Sequence, residues 1–121
     1  VTGVKIHPRY FQVEQAKNIL GMTMARLEKG RSLTIALMVE TFLQIAIESN
    51  RTNDLGTRKL PKFEDNFGKQ FVKALLEVEE EYELTAAETA MIMIELSTRI
   101  QVCAIQVERH PGDPEKGANE A

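Results

Sequence analysis

Residues 85–110, TAAETAMIMIELSTRIQVCAIQVERH, decide the fold of this chain. At about 100° per residue, Glu88, Glu95, Arg99 and Gln106 fall on one narrow polar stripe, with Glu95 and Arg99 spaced to pair at i,i+4. Met93, Leu96, Ile100, Cys103 and Val107 form one apolar face, and Met91, Ile94 and Ile105 form a second. Thr85 and Glu88 make a capping-box pattern at the front, and Pro111-Gly112 stops the helix behind His110. The pattern predicts one helix from Thr85 to about His110, on the order of 39 Å long at 1.5 Å per residue. Such a helix needs at least two partner surfaces.

The same periodicity recurs upstream. Leu33, Ile35, Leu37, Met38, Val39, Phe42, Leu43, Ile45 and Ile47 cover most of a helix expected from an N-cap at Ser32 to about Ser49. An arc so wide predicts burial from several directions. A first helix, opened near Pro8 and stopped by Gly30, aligns Val13, Ala16, Leu20, Met24 and Leu27 on one stripe. A third, from about Phe67 to Glu83, aligns Phe67, Phe71, Ala74, Leu75, Val78 and Tyr82, with Asp65 or Asn66 as its cap. Asn50 to Asn66 is the one long connection, marked by Asn53, Asp54, Gly56 and Pro61. Residues 111–121, PGDPEKGANEA, hold no large apolar side chain and read as a disordered tail.

The expected architecture is therefore all-α: one domain over residues 1–110, in a four-helix arrangement ending in a long C-terminal helix and packed as a homodimer. The 121 residues suffice for one core, and 43% hydrophobic with 27% charged residues is an ordinary globular balance. Self-association follows from the far end of the last helix, Ile100 to Val107, which would project from a monomer as uncovered apolar surface. Met93, Leu96, Ile100, Cys103 and Val107 are the residues expected to lie against the second copy.

Catalytic signatures are lacking. The two histidines, His7 and His110, are far apart in sequence, and no Glu-x-x-His pattern occurs, so a di-iron bundle is excluded on ligand type. One cysteine gives neither an intrachain disulfide nor a zinc knuckle, and its place on the main apolar stripe predicts a buried, inert thiol. The glycines form no phosphate-cradling loop. No enzyme activity, cofactor or metal is expected. No signal peptide or membrane span is read from the sequence, and a single cysteine fits a reducing, cytoplasmic setting.

Charge is more informative than chemistry. The chain carries a net −3, yet between Arg51 and Lys62 the four basic residues Arg51, Arg58, Lys59 and Lys62 face only Asp54, a local excess of about +3 suited to a phosphate or an acidic protein surface. Conversely, Glu77, Glu79, Glu80, Glu81 and Glu83 crowd a helix C-terminus, where the macrodipole disfavours negative charge. Both segments are candidate contacts for another protein, or for each other between subunits.

One alternative comes from a family. Val4-Lys5-Ile6, a helix, Gly30-Arg31-Ser32 and a second, apolar helix together resemble the ribbon-helix-helix repressors over the first 50 residues. The resemblance implies a strand paired across a dimer, with Lys5 and His7 facing the DNA major groove and Arg31 and Ser32 at the phosphate. The principal expectation remains a non-enzymatic helical homo-oligomer acting as a protein-binding adaptor, regulator or inhibitor.

Overall fold

The structure, a computed structural model, describes residues 7–28 and 34–109, with the side chains of residue 104 and residues 106–109 left aside. Among the described residues there are four helices and no strand: α1 (Tyr10–Glu28), α2 (Ile35–Thr52), α3 (Asn66–Glu81) and α4 (Ala86–Arg109). The tail and the segments holding Lys5, Arg31 and Ser32 lie outside the described residues.

Local chemistry fixes the helix ends. Thr85 and Glu88 close a reciprocal capping box: the Glu88 N–H donates to Thr85 Oγ1 at 3.1 Å, and the Thr85 N–H donates to Glu88 Oε1 at 3.0 Å. Asp65 caps α3 by accepting the Gly68 N–H at 2.6 Å. The α2 cap departs from expectation. Thr34, not Ser32, accepts the Leu37 N–H at 3.1 Å, so the helix begins later. It also ends later, at Asn53, whose left-handed φ of 52° turns its N–H back to the Ser49 carbonyl.

Helix directions follow from the contacts between elements. Arg9 reaches Glu88, and Lys17 reaches Glu95, so α1 and α4 run side by side in the same sense. Arg9 also touches the Tyr82 and Glu83 carbonyls just past the end of α3, so α1 and α3 are antiparallel. Asn50 lies beside Ala87 to Ile94, and Ile35 beside Ile100 and Cys103, so α2 and α4 are antiparallel too. Hence α2 and α3 point the same way, and residues 53–65 must carry the chain back along the bundle.

That connection is an extended strap. Arg58 is held at the C-terminal half of α3 by Glu79, while Phe63 packs on Gly68 at the other end. Glu79 and Gly68 are about 16 Å apart along the helix axis, a distance that the five steps from Arg58 to Phe63 cover when the chain is extended at about 3.3 Å per step. Leu60 and Phe63 lie against the core as they pass. The length of the connection is thus dictated by topology.

The core gathers Phe42, Phe67 and Phe71, with ring centroids 4.8 to 6.1 Å apart, and around them Leu20, Ile45, Leu75, Ile92, Met93 and Leu96. The most extensive helix pairing is α2 on α4, followed by α1 on α3. Small buried residues, Ala46, Ser49, Ala90 and Ser97, belong to the first of these pairs and allow close approach of the backbones. The buried Thr41 and Ser97 hydroxyls donate to carbonyls of their own helices, so neither is left without a partner.

Candidate functional site

The helix that carries the strongest sequence signal divides its apolar residues between two environments. Met93, Leu96 and Ile100, expected at an interface with another chain, are buried in the chain's own core. The reason is geometric: their face is continuous with Thr89, Ala90 and Ser97, and these short side chains let α2 dock there. Cys103, expected to be buried, is exposed, and lines a cleft of about 450 Å³ with Met24, Ile35 and Arg99. The Val107 side chain lies outside those described.

The second apolar face stays uncovered. Met91, Ile94, Val102 and Ile105 are 50, 47, 46 and 54% exposed, all on one side of α4. On α2, Leu43 and Ile47 are 39 and 61% exposed, on the side that also carries Asn50. Asn50 lines one shallow depression with Met91 and Ile94, so the two apolar strips adjoin across the α2–α4 seam. Six large apolar side chains on one surface make a candidate docking face, because contiguous patches beyond a few hundred Å² are uncommon on monomers. Ion pairs border it: Glu95 accepts from both Lys17 and Arg99, and Arg9 clasps Glu88.

The candidate basic stretch is split by the fold. Arg58 is almost wholly buried, its guanidinium donating to both Glu79 oxygens at 2.7 and 2.8 Å and to Ser49 Oγ at 3.0 Å. Thr89 Oγ1 completes the cluster by donating to Glu79 at 2.8 Å. Arg58 therefore leaves the partner-binding set, and Glu79 leaves the acidic patch, because each neutralises the other inside one chain. Lys59 and Lys62 remain exposed on the strap, and Arg51, also exposed, pairs with Glu48 on its own helix. Glu77, Glu80, Glu81 and Glu83 remain on the surface.

The acidic end of α3 is tolerable because two arginines attend it. Beyond the Arg58–Glu79 pair, Arg9 Nη2 donates to the Tyr82 and Glu83 carbonyls at 3.3 and 2.9 Å, placing a cation where the helix dipole is negative. The hydrogen bond from Arg9 holds the Glu88 carboxyl below its ordinary value, against an opposing effect of burial and with help from the Thr85 N–H. Burial pulls the Lys17 ammonium down, but its hydrogen bonds to Glu14 and Glu95 outweigh this and set it above the usual lysine value.

Of the residues suggested by the repressor resemblance, only His7 falls within the described part. It is exposed, and its Nδ1 accepts the Arg9 N–H at 3.0 Å, fastening the turn ahead of α1. Among the described residues no cluster of His, Cys, Asp or Glu is arranged to hold a metal ion, and no helix is long and apolar enough to cross a membrane. Compared with known protein families, curated proteins and solved structures, the chain matches none.

Proposed function

We propose that this chain is a non-enzymatic, self-associating helical protein that works by binding other proteins, as an adaptor, regulator or inhibitor. The carrying observation is the exposed apolar face shared by α2 and α4, with Met91, Ile94, Val102 and Ile105 uncovered beside Leu43 and Ile47. Burying such a face is the main source of association free energy, at roughly 25 cal/mol per Å² of apolar surface. Lys59 and Lys62 are exposed on the strap and are the candidates for steering an acidic partner. A reducing, cytoplasmic setting suits the single exposed thiol, Cys103.

The test is the mass in solution over a range of concentrations. The native chain is expected at a multiple of its monomer mass, and Ile94→Glu at the monomer mass with its helix content retained, since Ile94 is about half exposed and lies outside the core cluster. A native chain that stays monomeric at high micromolar concentration refutes self-association.

A further inference from the structure

The exposed large apolar side chains described on α4 are spaced symmetrically in sequence. Met91, Ile94, Val102 and Ile105 stand at −7, −4, +4 and +7 from Thr98, which is itself exposed on the same strip. A two-fold axis perpendicular to a helix pairs residue +k of one copy with residue −k of the other. We infer that the occupant of this face is a second copy of the chain, packed with α4 antiparallel to α4 about a two-fold axis at Thr98. This rests on the self-association reading above and specifies its geometry.

In that arrangement Met91 meets the other copy's Ile105, and Ile94 meets its Val102, so every large apolar residue of the strip finds an apolar counterpart. On the helical wheel Met91 and Val102 lie to one side of Thr98, while Ile94 and Ile105 lie to the other, so the paired side chains interdigitate. Thr98, isosteric with Val102 and shorter than Met91, Ile94 and Ile105, sits where the helices cross, which lets the backbones approach there. Its hydroxyl already donates to the Ile94 carbonyl at 3.0 Å, so covering it strands no donor.

Area supports the same occupant. The half-exposed residues of α4, with Leu43 and Ile47 alongside, offer on the order of 500 Å² of apolar surface, most of the roughly 800 Å² that each partner contributes to a standard interface. The antiparallel register of α2 on α4 sets Leu43 near the level of Thr98 and Ile47 near that of Ile94, so the α2 strip flanks the axis.

The experiment is cysteine cross-linking in a Cys103→Ser background, alongside mass measurement. Oxidised Thr98→Cys is expected to form a covalent dimer by itself. Met91→Cys and Ile105→Cys are each expected to stay uncross-linked alone and to join when the two proteins are mixed. Gln70→Cys, exposed on α3, is the negative control. A substitution on the axis is met twice, so Thr98→Arg is expected to weaken the dimer about tenfold or more through like-charge contact, and Thr98→Val to preserve it. A dimeric protein in which Met91→Cys links to itself and Thr98→Cys does not would overturn this geometry while leaving self-association standing. A monomeric mass for the native chain would overturn both.

Discussion

Glu79 divides two carboxylate oxygens among Arg58 and Thr89, and Arg58 in turn reaches Ser49, so one buried ion pair ties the strap to α2, α3 and α4. Removing one member strands the other charge away from water. Arg58→Ala or Glu79→Ala is therefore expected to lower stability by about 3–5 kcal/mol, read from urea denaturation, with the double variant losing much less than the sum. Glu88 gives a second expectation. Its folded pKa lies below the ordinary 4.5, so the unfolded chain binds the proton more readily. The resulting stability is complete above that value and is lost as pH falls through the lower folded one. A plot of Tm against pH should show this acid decline, and Glu88→Gln should flatten it. Neither partnership of Arg58 nor that of Arg9 was readable from spacing. Their partners lie 21 and 79 residues away, and only the path of the strap and the parallel run of α1 and α4 bring them together.

Helices were far more legible than their neighbours. Periodicity located all four, the Thr85–Glu88 cap was plain, and the α3 cap was narrowed to Asp65 or Asn66, because capping is chemistry between residues about three apart. Which face of α4 turns inward was not legible, because both arcs are apolar and periodicity alone ranks them equally. The deciding feature is the run of short residues Ala90 and Ser97 beside Met93, where another helix can come close. The strap was visible as a long connection, but its apolar anchors were overlooked. Gly68 marks one of them: a Cβ there would stand 2.5 Å from Phe63 Cβ, well inside contact distance. Gly68→Ala should thus cost about 1–3 kcal/mol by forcing Phe63 off its seat, although alanine is the better helix former, and thermal melts of the variant would measure it.

For the protein in assembly, the expected signature is a melting temperature that rises with concentration, because a partner that binds only the folded form stabilises it by mass action. Ile94→Glu should abolish that dependence while leaving the dilute-limit Tm nearly unchanged. Lys59→Glu with Lys62→Glu should leave mass and Tm alone, since neither side chain is buried, and slow the capture of an acidic partner as measured by association rate.

The strap has one more implication. The main helix pairings are α2 with α4, α1 with α3, α1 with α4, and α2 with α3, and every one of them joins a helix before the strap to a helix after it. Neither half of the sequence can therefore build a core from its own two helices, and the fold behaves as two interlocked pieces sharing one interior. Cutting the exposed backbone beside Lys59 or Lys62 should leave a nicked protein that holds together under native conditions. The same two pieces, expressed separately, should gain their structure only when mixed, which makes this connection the natural place to divide the chain for a split-protein reporter.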